Sequence, residues 1–561
     1  MSGSTLLFGQ NARVQVIHNS ADIAADTVDV WVNDTKLIDN FAFRTASPFI
    51  DVIAGVDFDI TIQPKTSTDT TNGLWRKTYN LVAGKTYVLI ANGIVIPAGY
   101  NPAPAFDIYI YDMGQEAAGQ AGNTDVLVFH GSTDAPAVDV YEPYAGLRII
   151  DDMAYGDFTD YLALPTADYS LMIQTNDGRT AVAQFGAPLE TLSLDGAALV
   201  VVASGFLAPE NNNNGEAFGL FVALPAGGDL VALPAEELAT ARVQVIHNSA
   251  DAAAATVDVW YNATPLIDDF EFLSASPFVD LTAGVEFDIT IQPSNSTDTT
   301  SGLWRKSYTL LGDKTYILIA NGIVIPAGYN PAPAFDIYIY DMGQEAATDP
   351  SKGDVLVFHG STDAPVVDIY AAPSIELIND LAYGSFSNGY LTLDIADYII
   401  QVRDESGTNV VANFGAPLQT LNLSGFAITI IASGFLTPAD NNDGPAFGLF
   451  VALPAGGDLV ALPPYITSSQ DININTDRLN FKIYPNPVTD MVNLNYTLDS
   501  GGNVDITLYD MTGKKVFARS FGYYSEGTNE LSFSIDLLEG IYMIVLESGQ
   551  VRQAERIRVV R

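Results

Sequence analysis

The chain is 561 residues long, with 48% apolar and only 16% charged residues; it is too long for one core and should fold over most of its length into several domains. It has no cysteine and a formal charge of -43, which excludes disulfides, thiol chemistry and cysteine-built zinc sites. The same charge sets its surface against nucleic acid and anionic membranes while attracting divalent cations.

Taken in chain order, residues 1–11 (opening MSGSTLLFGQ) read as a signal-peptide remnant or leader. Apolar alternation then predicts strands at ARVQVIH, TVDVWV, PFIDVI, FDITIQP, WRKTYNL, KTYVLIANGIV and AFDIYIYD, separated by Gly, Pro, Asn or Asp turns. Roughly seven short strands in ~100 residues, without an amphipathic helix, form the pattern of an immunoglobulin-like sandwich. A shift of 112 residues lays His18 on His130 and Asp22 on Asp134, and a shift of 229 lays 12–234 on 241–463 without net insertion. The second match includes an identity of 30 residues between 89–118 and 318–347. Each long repeat is therefore a diverged pair.

The expected organisation is all-β, with tandem Ig-like β-sandwiches at 12–116, 124–233, 241–345 and 353–462. Each is expected to enclose its own hydrophobic interior, and connectors as short as AEELAT (235–240) favour a semi-rigid rod. Residues 463–480 are polar and turn-rich, a linker, and 481–561 read as a further small β-sandwich. No run of about 18 apolar residues occurs, so no membrane-crossing helix is expected.

One motif recurs in all four units: IHNSADIAADTVDVW from Ile17, FHGSTDAPAVDVY from Phe129, IHNSADAAAATVDVW from Ile246 and FHGSTDAPVVDIY from Phe358. It carries every histidine in the protein, at 18, 130, 247 and 359, so none is left over as a unique general base. Strand alternation places Val14, Val16 and His18 on one face, and sets Asp29 and Trp31 opposite Val28, Val30 and Val32. The imidazole is then expected to point inward as scaffolding and Asp29 to point out, with Ser20 and Asp22 forming a turn. The alternative is a metal site on His18 with Asp22, repeated at His130 with Asp134, His247 with Asp251, and His359 with Asp363.

Trp31, Tyr141, Trp260 and Tyr370 hold equivalent positions beside the strand aspartates and, facing outward, would offer platforms for sugar rings. The loops ENNNNGEAF (210–218) and ADNNDGPAF (439–447) are candidate calcium loops, although their spacing departs from the EF-hand pattern. No other cofactor is expected. No G-x-S-x-G, H-E-x-x-H or phosphate-cradling glycine loop appears, so no enzyme activity is expected; accidental carboxylate pairs keep a polysaccharide hydrolase as a remote reading.

The last segment, with Tyr484–Pro485–Asn486–Pro487, LYDMTGKKV around Gly513, and GIYMIVL containing Gly540 and Tyr542, resembles the C-terminal sorting domain of the type IX secretion system of Bacteroidota. The resemblance implies periplasmic transit, engagement of the type IX translocon and sortase, and attachment to surface lipopolysaccharide or release. The unit opening resembles a bacterial extracellular family of unknown function, with an RVxVxHxSxDAPxVDVYVNG pattern and an Ig-like fold. The DTT tripeptides make Thr70 and Thr299 resemble Bacteroidota O-glycosylation acceptors. The resulting expectation is a secreted or cell-surface structural or adhesive repeat protein, with self-association as a sub-hypothesis and a carbohydrate-binding surface protein as the alternative.

Overall fold

The computed structural model describes residues 11–71, 73–300, 302–465, 480–498, 500–510, 514–548 and 551–560. The architecture is all-β; among the described residues the only helical turns are short 3₁₀ segments such as Ile23–Ala25 and Pro209–Asn211. The chain divides into two compact units, with the main division after Thr240.

In the first unit, residues 11–111 supply β1 (Asn11–His18), β2 (Thr27–Val32), β3 (Thr35–Ala42), β4 (Thr45–Ala46), β5 (Ile50–Ile53), β6 (Phe58–Pro64), β7 (Trp75–Tyr79), β8 (Thr86–Asn92) and β9 (Asp107–Tyr111). One sheet runs β3-β2-β6-β7, and the other is built around β1, which pairs in parallel with β8 and antiparallel with β4 and β5. Val14, Val16, Val28, Val30, Ile60, Ile62 and Leu89 fill the space between the two sheets.

Residues 123–232 repeat the plan with β10 (Asn123–His130), β11 (Val138–Glu142), β12 (Leu147–Met153), β13 (Leu162–Pro165), β14 (Asp168–Thr175), β15 (Ala181–Pro188), β16 (Ala198–Ser204), β17 (Gly219–Ala223), β18 (Gly228–Asp229) and β19 (Val231–Ala232). The central β10 again lies parallel to β16. Val126, Val138, Val140, Ile173, Leu199 and Val201 form the core of this sandwich.

Each of these two sandwiches has its own interior, and a further apolar layer, absent from the sequence reading, lies between them. Ile17, Val88 and Ile90 on the outer side of the β1–β8 sheet pack against Leu127, Phe129, Val200 and Val202 of the β10–β16 sheet, and all seven side chains are buried. The two sandwiches thus share a third apolar layer, and β1, β8, β10 and β16 are covered on both faces. Such strands read as continuous apolar runs, which is why VQVIH, YVLIAN, DVLVFH and ALVVVAS hardly alternate. β18 strengthens the joint by pairing with β4, a strand that the second sandwich donates to the first.

The second unit contains its own version of this arrangement, with Ile246, Ile317 and Ile319 packed on Leu356, Phe358 and Ile431. The sorting segment forms a three-stranded and a four-stranded sheet over a core that includes Val492, Leu494, Tyr496, Ile506, Leu508, Ile544 and Ile557. The sequence reading of the first copy lacks the two-residue β4 and the longer β3. β3 is largely exposed, and a register irregularity in its pairing with β2 breaks its alternation.

Candidate functional site

His18 ends β1 where the chain leaves the sheet. It is 1% exposed, its Nε2 lies 2.7 Å from the Ala25 carbonyl, and its Nδ1 accepts a 3.4 Å bond from the Ser20 N–H. One nitrogen donates and the other accepts, so the ring is neutral. Burial pushes its pKa down to about 4, outweighing the carbonyl bond that favours the charged form.

His247 repeats each feature against the Ala254 carbonyl and the Ser249 N–H, and burial pushes its pKa to about 4. His130 and His359 bond the carbonyls of Pro136 and Pro365 at 3.0 Å, and burial likewise lowers their pKa values.

The aspartate four residues on is equally committed. Asp22 Oδ2 accepts from the backbone N–H groups of Val95 and Ile96, both at 2.7 Å, while Oδ1 accepts from the Ala24 N–H and the Tyr100 hydroxyl. The Ser20 hydroxyl donates to the Gly93 carbonyl at 2.6 Å. Together these bonds tie the turn after β1 to the loop after β8, supplying partners to backbone groups released where the parallel pair ends.

The other copies make the same ties: Asp134 to the N–H groups of Leu207 and Ala208, Asp251 to Val324 and Ile325, and Asp363 to Leu436 and Thr437. In each copy the histidine and the aspartate bond different parts of the backbone; both ring nitrogens are engaged in His18 and His247, whereas Nδ1 of His130 and of His359 is buried without a hydrogen-bond partner.

The strand aspartate departs from expectation. Asp29 was expected to point into solvent, yet it is fully buried, as are Asp139, Asp258 and Asp368. The cause is a bulge in the neighbouring strand, where Asn40 adopts a left-handed φ of 53° and presents a backbone N–H that the ladder does not use. Asp29 Oδ1 accepts that N–H at 2.9 Å, and Asp139, Asp258 and Asp368 accept the equivalent groups of Asp152, Asp269 and Asp380 at 2.8, 3.1 and 2.8 Å. Burial pushes the Asp29 pKa up, but the bonds from Asn40, Lys36 and Ser67 outweigh it, so the net shift is downward.

Trp31 and Trp260 also need correction as outward platforms. They are 8% and 5% exposed, and their indole N–H groups donate to the hydroxyls of Ser67 and Ser296. The hairpin that carries the bulge folds over them, and the Lys36 ammonium lies 5.4 Å from the centre of the Trp31 ring. Tyr141 and Tyr370 are half-buried; the Arg403 guanidinium covers the Tyr370 ring at 4.0 Å, and the hydroxyl donates to Glu376.

The candidate calcium loops spend their amides on protein groups. Asn212 accepts from the Asn101 N–H and donates to Asp134 and the Ala208 carbonyl, while Asn213 donates to the Ala98 carbonyl. Asn441 and Asn442 repeat these contacts with Asn330, Asp363, Thr437 and Ala327. Thr70 and Thr299 are half-buried in their turns. Sequence reasoning missed Lys36, Asn40 and Tyr100; the one available signal was an Asn or Asp before the end of the second hairpin strand in each copy.

In the sorting segment, Asn486 bonds both backbone groups of the terminal strand Val551–Val559, donating to the Arg556 carbonyl at 3.0 Å and accepting from the Arg558 N–H at 2.9 Å. Val488 continues that pairing, so the Tyr484–Pro485–Asn486–Pro487 turn joins the first strand of the segment to the last. Gly540 opens the strand Gly540–Ser548, and Tyr542 is buried, with its hydroxyl on the Leu538 carbonyl. Gly513 lies outside the described residues.

Comparison with known proteins agrees with this division. Residues 12–141 and 124–206 match the family described as Domain of unknown function (DUF4397), and residues 482–560 match the Secretion system C-terminal sorting domain. The chain is thus an all-β exported protein, with two segments similar to that first family and a sorting domain over residues 482–560. It is a type IX secretion cargo of the Bacteroidota kind, directed to the cell surface or the extracellular space through the type IX machinery.

No curated protein matches it. Among solved structures, dimeric latent PorU from Porphyromonas gingivalis is similar at 12% identity and a TM-score of 0.14, over 61% of this chain and 31% of that one. A Salmonella alpha-2-macroglobulin variant is similar at 11% identity and a TM-score of 0.13, over 96% and 46%. The chain therefore spans less than half the length of either, and likenesses this weak carry no argument about fold or function.

Proposed function

We propose that the exported chain is a non-catalytic structural or adhesive protein of the cell surface or its surroundings. The observation that supports this most is the commitment of the recurring motif: in all four copies the imidazole bonds a backbone carbonyl and the loop aspartate bonds backbone amides. A general base or nucleophile needs a group that can exchange protons with a substrate, whereas these imidazoles are buried and bonded to loop carbonyls and these carboxylates bond loop amides. Lipopolysaccharide attachment through the sorting domain, or release after its removal, is part of the proposal.

Self-association through bare sheet edges is less favoured. The edge strands of the β3-β2-β6-β7 sheet carry Lys36, Asp39, Arg76 and Lys77, and charge on an edge opposes strand-to-strand pairing.

The test uses purified full-length protein, imaged by electron microscopy over a concentration series and assayed for retention on bacterial cells and polysaccharide-coated surfaces. Retention or ordered assemblies, with no turnover of a polysaccharide panel, are expected. Dispersed particles that adhere to nothing, or release of sugar that is lost on changing one carboxylate, would overturn the proposal.

A further inference from the structure

The four sandwiches are not filled equally. Between the sheets of the second lies a cavity of about 70 Å³, and between those of the fourth one of about 50 Å³; the corresponding spaces in the first and third are about 30 and 20 Å³. The difference follows one position. In the first and third copies Phe41 and Phe270 pair across the hairpin with Val28 and Val257, and their rings lie 5.7 and 5.6 Å from those of His18 and His247. In the second and fourth, Met153 and Leu381 take that place opposite Val138 and Val367, and the imidazole has no such ring beside it.

These two cavities reach the open side of their sandwiches. The larger is lined by His130 and Met153 and also by Ile149 of β12 and Leu162 and Leu164 of β13, and β12 and β13 are edge strands of the two facing sheets. The last three side chains are half-buried, so the space runs from the imidazole to a mouth between two sheet edges. In the fourth sandwich Leu377, Leu391 and Leu393 hold the same places, on the edge strands Ile375–Leu381 and Leu391–Asp394. Apart from the histidines, and Tyr398 in the fourth, every lining residue is apolar.

We propose that the second and fourth sandwiches each take up the end of an alkyl chain, from an uncharged amphiphile whose polar head stays at the mouth. An apolar cavity stays dry, and its lining lacks contact atoms on one side until something apolar enters. A cavity of about 150 Å³ accepts benzene, so the larger of these accepts roughly three carbons without repacking. A chain, rather than a compact molecule, suits a space that opens at one side between half-buried leucines. Charge at the mouth selects the head. On β12 Asp151 and Asp152 stand against one base, Arg148, and the strand Ile375–Leu381 carries Glu376 and Asp380 with no base; a carboxylate, sulfate or phosphate head is repelled there. This site goes beyond the structural or adhesive reading and does not depend on it.

Hexan-1-ol serves as the probe, with saturation-transfer difference NMR on the full chain reading its binding. From butan-1-ol to hexan-1-ol each added methylene should tighten binding by about fourfold. Two double variants test the place. Met153→Phe with Leu381→Phe supplies the ring of the other copies and should weaken the hexan-1-ol signal by about tenfold or more. Phe41→Met with Phe270→Leu opens the first and third sandwiches and should raise it about twofold. Circular dichroism should stay unchanged in both. No signal in the parent, an equal signal in the parent and the filled variant, or no gain in the opened variant would overturn the assignment.

Discussion

His18 and His247 should make the folded protein acid-sensitive to a degree that follows from their surroundings. Both rings are buried and neutral, with folded-state pKa values near 4, whereas a histidine in an unfolded chain titrates near 6.5. Because the folded value is the lower one, the unfolded chain binds the extra proton between the two. Their contribution is complete above about pH 6.5 and is lost progressively as pH falls toward 4. At about pH 5 each ring withdraws about 2 kcal/mol of stability, rising to about 3 kcal/mol near pH 4. The many carboxylates titrate over part of the same range, so the perturbation has to isolate one imidazole.

His18→Gln in the full chain does so, since the carboxylate contributions are common to both proteins. The variant should be less stable than the parent near neutrality, and the gap should shrink by about 2 kcal/mol between about pH 7 and pH 5 in urea unfolding. A gap that is the same at both pH values would refute the account of a buried neutral ring.

Asp22→Ala should cost about 2–4 kcal/mol in thermal unfolding, because it strips the acceptor from the N–H groups of Ala24, Val95 and Ile96; a surface-like loss below about 0.5 kcal/mol would count against the loop tie. Trp31→Ala should cost about 3–5 kcal/mol and leave glycan-array signals unchanged, the reverse of what an exposed sugar platform predicts. Phe129→Ala should cost about 3–5 kcal/mol and lower the melting of both sandwiches in the first unit together, as differential scanning calorimetry of the variant would record; separate melting with only one sandwich affected would contradict the shared layer.

Much of this protein is legible in one dimension. The repeat at 229 residues, the fainter one at 112, the alternation of TVDVWV and FDITIQP, and the Tyr484–Pro485–Asn486–Pro487 turn are local or periodic signals that survive without coordinates. They point to an all-β chain of repeated sandwiches, and the resemblance carried by the last of them implies export. The inward histidine was legible too, because a strand face with valines at alternate positions has only one apolar side to turn to.

Three features were settled only when the strands met. The layer between Ile17, Val88, Leu127 and Phe129 is formed by residues far apart in sequence on strands covered on both faces, and periodicity cannot distinguish a second buried face from an unpatterned run. The burial of Asp29 and Trp31 depends on a bulge at Asn40, where one extra residue frees an N–H for the carboxylate and bends the hairpin over the indole, an effect that strict alternation cannot represent. The cavity beside His130 exists because Met153 stands across from Val138 where the first copy sets Phe41 across from Val28, an exchange of one apolar residue for another that leaves no mark on the strand pattern. Sequence thus determined what each strand is made of, and tertiary structure decided which side chains face one another, since contact depends on register and layering that no single strand contains.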